Sequence, residues 1–501
     1  MKASEMEFSL NFQHSYAEQL AGFYASLAPV GFSKPSLLQF NGSLARELRL
    51  DIEELTPNVA EQIFSGSLLP SDARPIAQAY AGHQFGHFVP QLGDGRALLL
   101  GEISDQRGNL RDVALKGSGV TPFSRGGDGK AAVGPVLREY LLSEAMHALG
   151  IPTTRALAAV ATGEPVMREK PLPGAVLTRV ASSHIRVGTF QYFAARNQVD
   201  AVRKLADYVI VRHYPEVSKE PQRYLELLKI VADRQADLIA RWMLVGFIHG
   251  VMNTDNMAIS GETIDYGPCA FMEGHHPDTV FSSIDHAGRY AYGNQPAIAL
   301  WNLARFAETL LPIIDLDNQE HAVNEATAIL ETFMPTFQKY WYDGAQSKLG
   351  LADQANAHHA KADIRILVDE WFELLASSKV DFTLAWRSMA DAAEGNEEKI
   401  RSLFDRTDKL DILLERWRNL QDDDTASQVA GQIRAVNPIY IPRNHLVEET
   451  LTAATDDGNL EPFEVLLRAI RQPFEEDKEF DRFASPAPAE FTANYKTFCG
   501  T

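Results

Sequence analysis

The clearest signal along the chain is a long helical stripe. Between residues 219 and 246, Tyr224, Leu227, Leu228, Val231, Leu238, Ile239 and Trp242 recur at spacings of three, four and seven. That spacing puts them on one face of a helix. Pro221 suits its first turn. A second helix is predicted over "GPVLREYLLSEAMHALG", residues 134–150, with Pro135 near its start and Gly150 at its end. Ahead of it, "RALLLGEI" and "LRDVALKG" flank the polar "SDQRGN", the pattern of a hairpin. Another strand pair, "ALAAVATGEPVMRE" and "AVLTRVA", is joined by a Pro/Gly-rich turn. From about 296 to 475 the pattern is predominantly helical, and it ends in a Pro-containing tail. The expectation is an α+β chain with a strand-rich lobe before a helical lobe, and a ligand cleft between them.

Composition narrows the class. The chain has 501 residues, 45% apolar and 23% charged, ordinary for a globular protein. No segment reaches the roughly 18 uninterrupted apolar residues that span a bilayer. The richest run, "LIARWMLVGFIHGVM", is cut by Arg241, so no membrane partner is expected. The opening residues lack a secretory or transit pattern, and cytoplasm is the expected compartment. Two cysteines, Cys269 and Cys499, do not make a disulfide scaffold. A formal net charge of −20 argues against nucleic acid as a partner.

Four stretches carry candidate chemistry. In "QLGDGRALLLGE", Gly93 and Gly95 would let backbone N–H groups approach phosphate, with Arg96 as a bidentate partner. Alone, this is equally an ordinary hairpin turn. "VALK" ends a predicted strand in Lys116, as the kinase V-A-I-K does, and Glu139 or Glu144 on the next helix supplies a pairing carboxylate. Spacing does not decide between the two. "SRGGDGKAAVG" places Asp128 and Gly129 in a second Gly-rich turn, which alone reads as a solvated loop.

The fourth stretch is "FIHGVMNTDNMAISGETIDYGPCAF", residues 247–271. Kinases carry H-R-D-x-x-x-x-N, with the Asp as base and the Asn on the metal. Here Val251 stands where that Asp would be, Asn256 is on schedule, and Asp255 brings a carboxylate four residues late. "DYG" at 265–267 is a variant of the metal-binding D-F-G. His249 reads as a structural histidine. His83 and His87 in "GHQFGHF" have the i, i+4 spacing of a helical metal pair, but Gly86 and the lack of a third ligand argue against one. The doublets His275-His276 and His358-His359 read as solvent-exposed.

Taken in order, these parts make a protein-kinase-like series. The long stretches "YAGHQFGHFVPQLGDGRALLLGE", "ALKGSGVTPFSRGGDGKAAVGPVLREYLLSEAMHALGIPTTRAL" and "HGVMNTDNMAISGETIDYGPCAFM" are more specific. Through them nearly the whole chain resembles the selenoprotein O family, known in bacteria as YdiU: kinase-like, two-lobed protein adenylyltransferases. The resemblance implies transfer of AMP from ATP to Ser, Thr or Tyr hydroxyls, of other proteins or of the chain itself, with the nucleotide flipped relative to a kinase. It implies that Gly93, Gly95, Arg96, Asp128 and Gly129 contact the nucleotide. Lys116, paired with Glu139, would neutralise phosphate charge, and Arg179 and Arg186 would clamp the phosphates. Asp255 would accept the proton, while Asn256 and Asp265 hold Mg²⁺ or Mn²⁺. It also suggests a regulatory disulfide between Cys269 and Cys499, because eukaryotic members carry selenocysteine near that end. The residues alone leave open a γ-phosphate-using kinase, a UMP-transferring enzyme, or a nucleotide-binding pseudokinase scaffold. The expected organisation is an extension packed on the core over 1–85 and a strand-rich nucleotide-binding lobe over 86–182. A mainly helical lobe with the catalytic loop and metal site would follow over 183–475, then a tail over 476–501.

Overall fold

The computed structural model describes residues 8–50, 55–352, 358–421 and 425–498. Its strands in chain order are β1 (Tyr24–Ser26), β2 (Ser36–Phe40), β3 (Ile76–Gln78), β4 (Gly82–Gln84), β5 (His87–Val89), β6 (Ala97–Ser104), β7 (Leu110–Lys116), β8 (Ala131–Ala132), β9 (Arg155–Met167), β10 (Pro171–Ala181), β11 (Phe247–Ile248) and β12 (Ala270–Phe271). Among the described residues the main sheet runs β1-β3-β6-β7-β10-β9-β2, with β8 paired to β10. All its pairs are antiparallel. The first 85 residues therefore supply β1 and β2, which close the two edges, as well as β3.

Register decides which side chains share a face. Lys116 lies opposite Leu177, Ala114 opposite Arg179, and Asp112 opposite Glu102. Side chains alternate along a strand, so Asp112, Lys116 and Arg179 all point to the same side of the sheet. The other side carries Val113, Leu115, Val176 and Val180 into a core shared with the helices Gly42–Glu47 and Pro57–Ser65.

The helix Val133–Ala148 packs on β9 and β10 and on two later helices, Asn444–Asp456 and Glu461–Ile470. It stops in a Schellman motif. Gly150 takes φ +73°, its N–H reaches the His147 carbonyl at 3.0 Å, and the Ile151 N–H reaches Met146 at 2.9 Å.

The predicted long helix spans Arg223–Leu244, so Pro221 lies two residues before its first turn. Leu227, Leu228, Val231 and Ile239 are fully buried, each worth about 1.5–3 kcal/mol of apolar burial. The helix packs on Gln295–Ile314 and Phe333–Lys348 at the centre of the helical lobe. The stretch Tyr292–Ile314, which includes this helix, is long and apolar enough to cross a membrane by length and composition. Here Leu303, Phe306 and Leu310 are spent in the core. The long helix delivers the chain into β11, whose pairing with β12 frames the polar loop between them.

Candidate active site

That loop meets the polar side of the sheet in a cleft of about 1380 Å³. At its centre Lys116 Nζ donates to Glu139 Oε2 at 2.5 Å and to Asp265 Oδ1 at 2.8 Å. Arg179 Nη1 reaches the same Asp265 oxygen at 2.7 Å and Glu139 Oε1 at 3.3 Å. Arg186 Nη1 is 3.5 Å from Asp265 Oδ2, and its guanidinium lies 4.4 Å from the centre of the Tyr80 ring. Three cations thus converge on Asp265 and Glu139, a cluster of donors that suits a polyphosphate. Burial alone would raise the Asp265 pKa, but Lys116, Arg179 and Arg186 hold its carboxyl well below the usual range. Asp265 sits at φ +64°, a left-handed backbone that Asp tolerates better than most side chains and that costs on the order of 1 kcal/mol.

The structure pairs Lys116 with Glu139 and turns Glu144 elsewhere. Glu144 is buried on another face of the helix, accepting from Arg155 Nε and Asn41 Nδ2, both at 2.7 Å.

Asp255 and Asn256 lie in a single 3₁₀ turn, Thr254–Asn256. Asp255 Oδ2 accepts from Gln84 Nε2 at 3.3 Å, while its buried Oδ1 has no hydrogen-bond partner. Burial pushes its pKa up to about 6, against the pull of Arg186. Asn256 Nδ2 donates to the Val251 carbonyl at 2.9 Å. His249 is fully buried, stacked on Trp242, with Nε2 donating to the Ile264 carbonyl at 2.9 Å. It accepts the Val251 N–H at Nδ1, so it braces the loop.

Gly93, Gly95, Arg96, Asp128 and Gly129 also line the cleft. The glycines have a local reason as well. A Cβ on Gly93, at φ +78°, would run into the Phe123 ring. One on Gly129, at φ +65°, would run into the Gly119 carbonyl. Asp128 is exposed at the rim and already accepts from Arg168 Nη1 at 2.8 Å.

Several site features escape the motif reading. Gln84 is the member of "GHQFGHF" that reaches the loop, because the stretch forms the β4–β5 hairpin. The hairpin is pinned there by His83 N–H to Thr254 Oγ1 at 2.7 Å and Phe85 N–H to Asn253 Oδ1 at 3.1 Å. Its side chains alternate, and the only signal was its position just before the Gly-rich turn. The C-terminal segment is another: Lys496, Thr497 and Phe498 line the cleft. Thr497 Oγ1 donates to the Pro268 carbonyl at 2.7 Å, and its N–H donates to Phe281 at 2.9 Å.

Cys269 is fully buried next to that segment, and burial lifts its thiol to about 12 despite Arg138 nearby. Its expected partner Cys499 lies outside the described residues. The exposure expected for His275 is wrong. Its ring is buried among Tyr292, Phe372 and Phe382, whereas His276 is exposed. The side chains of His358 and His359 lie outside the described residues.

A family model described as protein adenylyltransferase SelO matches residues 6–471. The chain is 58% identical over 480 residues to the protein nucleotidyltransferase YdiU of Chromobacterium violaceum, covering 95% of this chain and 99% of that protein. It is 57% identical over 494 residues to the protein nucleotidyltransferase YdiU of Cereibacter sphaeroides ATH 2.4.9, covering 98% and 100%. The YdiU protein of Mycolicibacterium paratuberculosis is 56% identical over 474 residues, 94% of each chain. By match length, identity and its α+β, kinase-like two-lobed architecture, the chain belongs to the SelO family.

Proposed function

We propose that the chain is an ATP-dependent protein adenylyltransferase that moves AMP to a Ser, Thr or Tyr hydroxyl and releases pyrophosphate. The observation that carries this reading is Asp255. It is buried at the cleft with one oxygen unpartnered, while Val251 makes the usual kinase base position apolar. In the proposed step the acceptor oxygen forms a bond to the α-phosphorus and the bond from that phosphorus to the α,β-bridging oxygen breaks. The hydroxyl proton passes to the Asp255 carboxylate and the bond electrons leave with pyrophosphate. Lys116, Arg179 and Arg186 neutralise charge on the phosphates, and Glu139 holds Lys116 among them. The cleft also positions the two reactants, which lowers the barrier further.

Asn256 and Asp265 would hold Mg²⁺ or Mn²⁺. Their hard oxygen donors fit such an ion, and the unpartnered Asp255 Oδ1 lies on the same turn as Asn256. Among the described residues no group of three His, Cys, Asp or Glu side chains forms a protein-only cage. That fits an ion completed by water and phosphate oxygens. When bound, it supplies a Lewis acid to the phosphates.

Protein hydroxyls, of other proteins or of the chain itself, are the proposed acceptors. UTP is a second donor to test, because the relatives carry the broader name nucleotidyltransferase. The proposed redox control is a bond from Cys269 to Cys499, supported by the C-terminal segment that Thr497 docks beside Pro268.

The test supplies ATP labelled on the α- or γ-phosphate, α-labelled UTP, and Mg²⁺ with or without chelator, and follows label into protein. Incorporation from α-labelled nucleotide only, abolished by chelator, is expected. Incorporation from γ would make the chain a kinase with a displaced base. No incorporation from any label would favour a nucleotide-binding scaffold.

A further inference from the structure

Behind the cleft lies a second, fully buried layer of charge. Glu102 and Asp112 are cross-strand neighbours, and Arg212 bridges them at 3.3 and 2.5 Å. Glu102 also takes the N–H groups of Ser15 at 2.7 Å and Tyr16 at 2.9 Å. Asp112 Oδ2 faces His184 twice, at 2.9 Å from its backbone N–H and 3.0 Å from its Nδ1. The other ring nitrogen, Nε2, is 3.2 Å from Arg179 Nε.

A guanidinium has donors only. In the contact with Arg179, His184 Nε2 must therefore be the acceptor and carry no proton. The single ring proton of a neutral imidazole then sits on Nδ1, where Asp112 accepts it. The pKa of His184 agrees: burial lowers it, outweighing the bond to Asp112. Arg179 is consequently held at two points, by Nε on His184 and by Nη1 on Asp265 and Glu139. Two anchored edges fix the plane of a guanidinium, where one would leave it free to swing.

We infer that His184 is a positioning residue. Fixed by Asp112 in the Nδ1–H tautomer, it offers Nε2 to Arg179 and orients that guanidinium toward the phosphates of the nucleotide. This rests on the proposed nucleotide site, since it assigns Arg179 a phosphate partner. The N-terminal segment is part of the same support, because Ser15 and Tyr16 hold Glu102, which shares Arg212 with Asp112.

The test uses the full-length protein in two independent readouts. The first is a long-range ¹H–¹⁵N spectrum of protein labelled with ¹⁵N-histidine, with His184 assigned by its absence in His184→Gln. A proton on Nδ1 and a bare Nε2 are expected; a proton on Nε2 overturns the inference. The second is binding of ATP and of adenosine, with thermal unfolding as the folding control. His184→Leu removes the acceptor and is expected to weaken ATP about tenfold to a hundredfold, with adenosine unchanged. His184→Gln, whose amide both accepts and donates, is expected to restore ATP binding to within about threefold of wild type. Unchanged ATP affinity in His184→Leu, or equal losses for ATP and adenosine, overturns the inference. Should His184→Leu not fold, the spectrum and His184→Gln decide: a Gln variant as weak toward ATP as Arg179→Ala overturns it. Failure of the wild type to bind ATP sinks the proposed function instead, and leaves the tautomer measurement to stand by itself.

Discussion

Gln84, on a two-stranded hairpin, donates to one oxygen of Asp255, 171 residues away, and leaves the other oxygen bare. The hairpin also presses on that carboxylate directly. A Cβ on Gly82 would sit 2.8 Å from Asp255 Oδ1. Gly82→Ala therefore displaces the proposed base, and because its Cβ would also lie 3.0 Å from Asp255 Cβ, the 3₁₀ turn must shift with it. The expected result is a loss of α-label transfer on the order of a hundredfold, with a modestly lowered Tm and a folded protein. Gln84→Leu should cost about tenfold, since one hydrogen bond to a charged group is lost. Wild-type turnover in Gly82→Ala would argue against Asp255 as the proton acceptor.

Asp265 concentrates opposite charge more than any other side chain in the cleft. Lys116, Arg179 and Arg186 all turn to it. Asp265→Ala should abolish transfer and also leave Glu139 as the remaining partner of Lys116 and Arg179, and Arg186 without its carboxylate, at a cost on the order of 3 kcal/mol. Calorimetry should therefore show a folded protein with a lowered Tm, not an unchanged one. An inactive variant with wild-type Tm would mean that the three cations find other partners easily.

Two histidines, His275 buried and His213 half-buried, predict an acid-sensitive fold. Burial lowers His275 to about 4 and His213 to about 3. The unfolded chain takes up protons near pH 6.5 while the folded chain refuses them, so stability is present above 6.5 and lost as pH falls. For His275 alone the loss approaches about 3 kcal/mol by pH 4. His275→Phe, among aromatic neighbours, should flatten the fall in Tm between pH 7 and 5. A fall as steep as the wild type's would show that this ring is protonated without cost.

The raised thiol of Cys269 makes a further prediction. At pH 8 it remains protonated and buried, and only the thiolate reacts. Alkylation at Cys269, read by peptide mass spectrometry, should be slow in native protein and fast in denaturant. Fast native labelling would mean that the segment around Thr497 opens readily. After oxidation, absence of a peptide linking residues 269 and 499 would count against the proposed disulfide.

What was legible in the sequence was local. The hairpin before Lys116, the helices around Glu139 and after Arg223, and the helical lobe all follow from short-range periodicity. What was hidden depends on distant partners. Glu139 and Glu144 are five residues apart, so they face different ways. Only the remote Arg155 and Asn41 reveal which one is taken. His275 looks exposed in a polar doublet because Phe372 and Phe382, which cover it, come from another hundred residues along the chain. The edge strand β1 and its neighbour β3 are three residues each, too short to show alternation. The tautomer of His184 needed two contacts from separate strands.

The docking of Thr497 at Pro268 has a practical side. Phe498 is 72% exposed and lines the cleft mouth. A bulky reporter attached at position 498 would stand at the cleft and compete for space with an incoming acceptor.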